Sequence, residues 1–424
     1  SGAAQWKPDL AAGQGTGAAV EGDRVRFDPA TAHRAPAGDA ESGTESSADP
    51  SAAVPTGLFV LEGRALDRPT SEVSSAMDAT VGPGSTVTLD VRGKRAGGGW
   101  TEWIPSAPGA APGSGVAELP EPVREVQGRI VLTSTGTDRP SVKAVTLTAA
   151  PSSESDGDAR AEAAPLSYSV FATREGLVGG TTANGHKIVD RDKFVALPSR
   201  RALSPNGRSD YSVKVCAPNG RCAFAPVWDI GPWNTKDDYW NPGPQRQQFK
   251  DLPQGVPQAQ AAFHHGHNGG KDGLGRRPSN PAGIDLGDGI FWDVLGLKNN
   301  SQVQVDYLWT GNVRLSKVST DGAPDTPVRV APRADAEVVG VAADTADVPV
   351  QCRQGSARDG WVRVGQGQYL PASQVEGVAD APACTGAPAA GRTAAPSSAP
   401  APAETGTHQA TGTTGASTRA QSGP

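Results

Sequence analysis

Residues 225–234 read Ala225-Pro-Val-Trp-Asp-Ile-Gly-Pro-Trp-Asn234. A β-prone run from Phe224 to Trp228 carries one carboxylate, Asp229, onto a Gly231-Pro232 turn walled by Trp228, Ile230 and Trp233. Apolar neighbours disfavour the charged form of a carboxylate, the property a general acid needs near neutral pH. An Asp at a turn also bonds local backbone N–H groups, and that structural role fits the same residues.

Just upstream, Cys216 and Cys222 flank Ala-Pro-Asn-Gly-Arg, where Asn219-Gly220 is a strong hairpin-turn sequence. The other two of the four cysteines are Cys352 and Cys384. Three pairings are open, and proximity favours 216–222 with 352–384. No C-x-x-C spacing suggests a metal. An even cysteine set in a Gly-, Pro- and Thr-rich chain reads as disulfides of an exported protein, secreted or cell-wall-associated.

Composition limits what can fold. Of 424 residues, 53 are Gly and 37 Pro, while only 36% are hydrophobic and 5% aromatic. Long stretches therefore cannot bury enough apolar surface to offset chain entropy, and compact β modules joined by disordered linkers are expected. The net charge of −6 comes without any block of Lys or Arg, so nucleic acid is not an expected partner. No run approaches the roughly 18–20 apolar residues of a membrane span. The chain starts Ser1-Gly-Ala, which reads as a form from which a targeting segment has been removed.

From the N-terminus, residues 1–30 form an aromatic-anchored segment expected to pack on the next module, and 31–55 a linker. Over 56–148 come short alternating runs, Leu58–Leu61, Thr86–Arg92, Gly128–Thr133 and Val142–Thr148. Period-two alternation without a convincing helix predicts a β-sandwich. A second linker covers 149–165. In Val91-Arg-Gly-Lys-Arg-Ala-Gly-Gly-Gly-Trp-Thr-Glu-Trp103, two indoles follow a glycine-rich turn. The stretch resembles a hairpin of secreted actinobacterial β-sandwich modules found on cell-wall and carbohydrate-active proteins. Trp100 and Trp103 are glycan-stacking residues on that reading and core residues on the other.

Over 166–312 the order of segments resembles the double-psi β-barrel of the RlpA-like, expansin and barwin type. Thr182–Gly185 matches that family's TANG loop, Asp229-Ile-Gly-Pro232 its D-R-G-P turn, and Ile284-Asp285-Leu-Gly287 its iDLS segment. A long insertion separates the last two, Asn234–Pro281. One short helix is expected after Asp288, which would cap it, with Phe291, Val294 and Leu295 on its buried face and Gly296 ending it. The resemblance implies a general acid at Asp229 in members that cleave peptidoglycan strands. Those members also carry a Glu after the TANG glycine and a His before the Leu-Pro. Here His186 occupies the first position, and Phe194-Val-Ala-Leu-Pro198 has no His. Binding without cleavage is therefore favoured. Asp229 with Asp285 remains a catalytic pair of candidates, inverting if their carboxyls lie about 6.5–9.5 Å apart. Trp228, Trp233, Tyr239 and Trp240, with Asn184 and His186, are the expected glycan-binding set. Barwin-like barrels also include protease inhibitors, a further alternative.

Three of the six histidines cluster in Phe263-His-His-Gly-His267, but no metal-ligand spacing accompanies them, and a groove-lining loop is expected. Neither cofactor nor metal is predicted. Residues 325–385, with Asp325–Pro332, Gly360-Trp-Val-Arg-Val364 and Gly367–Pro371, resemble a small bacterial SH3-like (SH3b) barrel, and 386–424 read as a disordered tail. The expectation as a whole is an all-β, multidomain protein: β-sandwich, double-psi β-barrel and SH3-like barrel, with peptidoglycan or a related polysaccharide as partner.

Overall fold

The computed structural model describes residues 2–35, 54–153 and 163–386. Most of the 31–55 linker, the centre of the 149–165 linker and nearly all of the 386–424 tail lie outside the described residues. What is described is all-β and built in several modules.

The first module turns on two long strands, Arg64–Thr80 and Ser114–Ser134. The second contains Leu119-Pro-Glu-Pro122, and its register against Arg64–Thr80 slips on either side of Val123. Proline cannot donate to the ladder, so pairing breaks and the strand bends. Its first half pairs with Arg64–Thr80, its second with Ser85–Lys94 and Thr56–Val60. Phe27, Phe59, Val73, Leu89, Ile130 and Leu147 fill the space between. The N-terminal strands Gln14–Thr16 and Arg24–Phe27 join the same sheet.

In the second module six strands close a ring: Leu166–Glu175, Val195–Leu197, Ser212–Cys216, Cys222–Ile230, Ala282–Gly287 and Ser301–Tyr307. Two pairings are parallel, Leu166–Glu175 with Ala282–Gly287 and Val195–Leu197 with Cys222–Ile230. Closure leaves no open edge and turns one side chain of each pair inward. Val170, Val213, Val215, Val227, Ile284 and Val305 fill the interior. The helix expected after Asp288 is one wide turn, Gly289–Val294, with Phe291, Val294 and Leu295 buried and Gly296 at φ +65° beyond it. Asp288 does not cap it; its carboxylate instead receives Arg174 Nη1 at 2.8 Å. A helix not anticipated from sequence, Gln258–His265, lies in the insertion. Its HHGH segment is therefore not a plain loop.

Strands Asp325–Arg329, Val338–Ala343, Cys352–Gln354, Trp361–Gly365 and Gln368–Pro371 make the small C-terminal sheet. It is continuous with the barrel, because Gly340–Ala342 pairs in parallel with Cys222–Phe224. A Cβ at Gly340 would stand 2.0 Å from the Cys222 carbonyl oxygen, so only glycine permits this approach. Both disulfides form, Cys216–Cys222 across the Asn219-Gly220 turn and Cys352–Cys384 across the end of the module. The second would contribute roughly 2–4 kcal/mol by restricting the unfolded chain.

Trp100 and Trp103 are not stacking faces for a glycan. Both are buried in the seam where the first module meets the barrel. Arg92 lies over both rings, 4.0 and 4.4 Å from their centroids, and Arg129 lies 4.3 Å from that of Trp103. Trp103 Nε1 donates to the Leu203 carbonyl at 3.2 Å. Between them, Glu102 Oε1 accepts the indole N–H groups of Trp240 and Trp309 at 2.6 and 2.9 Å. The residues flanking the glycine-rich turn thus join the two cores, while the turn itself, Ala96–Gly98, is exposed.

Buried ion pairs complete the seam. Arg129 and Arg200 share Asp90 Oδ2 at 2.7 and 3.0 Å, and Arg92 meets Asp210 Oδ2 at 2.9 Å. Burial opposes ionisation of Asp210, yet Arg92 above all holds its pKa down to about 2.

Candidate functional site

The parallel strands place several acids at one end of the barrel. Asp229 ends Cys222–Ile230, Asp285 lies mid-strand in Ala282–Gly287, and Glu175 ends Leu166–Glu175. Asp229 is 3% exposed, and its Oδ1 accepts the backbone N–H groups of Ala183 and Ile230, each at 2.8 Å. The bond from Ala183 ties the Thr182–Gly185 loop to the Asp229 turn. His33, from the N-terminal segment, brings Nε2 within 3.7 Å of the same oxygen. Asp285 is half-buried, accepts the Thr173 hydroxyl on Oδ1, and turns Oδ2 toward Gly231, 3.5 Å from where a Cβ would stand.

Glu175 is the residue that sequence reasoning missed. It is 2% exposed, and neither carboxyl oxygen receives a hydrogen from any N–H or O–H among the described residues. Its neighbours are Asp229, Asp285 and Asp288, so it can bond Asp229 only by carrying the proton itself. Burial, and then the charge of Asp229, push its pKa well above the usual carboxylate range. Its surroundings thus favour the protonated form of Glu175.

A Glu whose folded pKa exceeds its unfolded value stabilises fully below the unfolded value, 4.5, and the contribution is lost as pH rises through the folded pKa. Glu175→Gln, neutral and able to donate to Asp229, should therefore be more stable than the parent at pH 8. It should also lack part of the parent's decline in stability above pH 4.5. Urea denaturation across pH reads this, and a Gln variant less stable than the parent at pH 8 would contradict it.

The other residues singled out divide sharply. Trp228 is half-buried, its Nε1 donating to the Arg208 carbonyl at 3.0 Å and its ring 4.3 Å from that of His186. His186 is fixed by Asp192, with Nε2 to Oδ2 at 2.6 Å. These two lie against each other, with the Trp228 ring also over that of Phe194. Asn184 is buried and committed: its amide donates to the Ser204 carbonyl at 3.0 Å, and its Oδ1 accepts from Thr182 and the His186 N–H. It organises the loop.

Trp233, Tyr239 and Trp240 are corrected from platform to core. Trp233 is buried with Nε1 on Asn280 at 3.1 Å. Tyr239 and Trp240 are fully buried, Tyr239 bonding the Tyr307 hydroxyl at 2.7 Å and Trp240 lying at 23° to the Tyr307 ring. The aromatic at the open end is one not anticipated, Trp292, 37% exposed. Arg174 and Arg191 lie 4.5 and 4.6 Å from its centroid. Leu177, Val178 and Val189 are exposed on the loop after Glu175. In the insertion, His264 and His265 are exposed, while His267 pairs with Asp251 at 2.8 Å. Among the described residues no group of three or more His, Cys, Asp or Glu is placed to hold a metal.

A closed barrel with a buried Glu175 set against Asp229, beside the half-buried Asp285, is the class of site defined here. In comparisons with known proteins, residues 166–306 match a family described as a domain of unknown function, DUF8814. The match spans the closed barrel and its insertion. No curated protein matches the chain.

Proposed function

We propose that this is an exported, cell-wall-associated protein whose central module is a double-psi barrel of the RlpA-like kind. In this reading peptidoglycan or a related polysaccharide lies across the barrel end carrying Asp285, Trp228, His186 and Trp292. The supporting observation is the Glu175–Asp229–Asp285 cluster, a polar group that packing alone gives no reason to bury. Two disulfides suit an oxidising compartment. No helix among the described residues is long and apolar enough to cross a membrane.

Binding is favoured over cleavage. The oxygens of Glu175 are sealed, and Asp229 is 3% exposed with Oδ1 doubly bonded to backbone. Of the three acids only Asp285 has substantial access to a ligand. The protein should pellet with purified insoluble peptidoglycan, and joint replacement Trp228→Ala with Asp285→Asn should lower the bound fraction at least about fivefold. That is the size of a lost stack and a lost charged hydrogen bond. Failure to pellet would remove this reading. Soluble wall fragments released by the parent but not by Asp229→Asn would move it to the second reading, a lytic or hydrolytic glycosidase.

A further inference from the structure

The seam holds a partly open cavity of roughly 240 Å³ between the N-terminal segment, the first module and the barrel. That is below the roughly 300–1,000 Å³ of pockets for drug-sized molecules and suits a single ring. Leu58, Leu61 and Leu203 supply apolar walls, while Gln14 and Asn206 bring exposed amides. Ala183 and Asn184, of the loop that holds Asp229, also line it.

Charge distinguishes this cavity from an ordinary packing gap. Arg129 lines it at 1% exposure, with Nε and Nη2 spent on Asp90 and the Arg200 carbonyl and Nη1 making no hydrogen bond. Arg208 lines it as well; its Nε and Nη2 go to Asp210, and its Nη1 is free. Four guanidinium groups, Arg92, Arg129, Arg200 and Arg208, thus share two carboxylates, Asp90 and Asp210. Lys317 is matched by Asp347 and Lys94 by Glu125, and Glu62 stands exposed on the rim. A buried guanidinium with a spare donor among the residues lining a cavity is better satisfied when an acceptor reaches it.

We propose that this cavity binds a small carboxylate-bearing ligand, a single acidic saccharide unit, with the carboxylate on Arg129 Nη1 and Arg208. The apolar face of the ring would lie on Leu58 and Leu203, and its hydroxyls would meet Gln14 and Asn206. The saccharide identity rests on the wall-binding reading above; the need for an anion does not. A second subsite on one chain would raise avidity for a repeating polymer.

Calorimetric titration of the full chain with N-acetylmuramic acid and with N-acetylglucosamine, which lacks the lactyl carboxylate, tests this. The acidic sugar should bind once per chain and at least about tenfold more tightly than the neutral one, the order expected for a charge-assisted hydrogen bond. Arg208→Gln should remove that preference, and Gln14→Trp, placing bulk at the cavity, should abolish binding. Gln14 is exposed and its change leaves folding intact; Arg208 also pairs with buried Asp210, so Gln14→Trp keeps the test decisive if Arg208→Gln is destabilised. Equal affinity for the two sugars, no heat with the acidic sugar, or parental binding by both variants would overturn the proposal. Pelleting with peptidoglycan but no titration heat would sink the cavity and leave the barrel-end reading standing. Heat without pelleting would do the reverse.

Discussion

Trp103→Ala is expected to lower the unfolding free energy by roughly 3–5 kcal/mol, the range for emptying a large buried aromatic site. The indole is fully buried, donates to the Leu203 carbonyl, and is stacked by both Arg92 and Arg129. Its loss opens a cavity and strips two buried guanidinium groups of their aromatic partner. Because Trp103 belongs to the same core as Val213, Val227 and Trp240 of the barrel, the change should destabilise both modules together. Equilibrium urea unfolding followed by tryptophan fluorescence and by circular dichroism would show one shifted transition. A loss under about 1 kcal/mol, or a shift confined to the first module, would mean that the seam does not couple them.

Arg246→Ala should cost a similar amount, roughly 3–5 kcal/mol, because it breaks a buried ion pair and leaves the other charge behind. Arg246 Nη2 bonds Asp237 Oδ1, and Asp237 Oδ2 accepts the Gln258 N–H at 2.7 Å, at the start of the insertion helix. Burial already pushes Asp237 up to about 6 despite Arg246. A raised folded pKa means that the stabilising, protonated form is complete below about 3.8 and is lost as pH rises through about 6. The variant should accordingly be penalised more at pH 7 than at pH 5, where protonation relieves the stranded carboxylate. Hydrogen exchange should show protection lost first across residues 234–281. Equal destabilisation at both pH values would assign the effect to packing instead.

The parts of the chain that were legible in sequence are those governed by near neighbours. Alternation located Val142–Thr148, because a strand with one buried face repeats every two residues. Cys216 and Cys222 pair across a turn that Asn219-Gly220 specifies locally. Phe291, Val294 and Leu295 lie on one buried face as their spacing predicts, although the turn carrying them is wide and Asp288 serves Arg174. The helix Gln258–His265 went unread, for its buried positions are mainly small alanines rather than a strong apolar stripe.

The site was only half legible. Asp229 and Asp285 were found because turn and strand motifs point to them, and the structure sets both about the same barrel end. Glu175 was hidden by the periodicity that helped elsewhere. Alternation groups it with Ser167 and Ser169, both exposed, yet beyond Ala172 both faces of that strand are covered and Thr173 and Glu175 are buried. The tryptophans misled for a different reason. An indole beside a glycine turn has the same local signature whether its face meets a sugar or another module.

From its residues alone this chain determined that it would be mostly β, built in modules, with proximity favouring the two disulfides that form, since those properties follow from alternation, turn chemistry and entropy along the chain. Tertiary structure alone decided which acid is buried among other acids and which indoles are buried. Charge state and exposure depend on groups distant in sequence, such as Asp229 beside Glu175 or Leu203 over Trp103, and no spacing rule records what folding brings together.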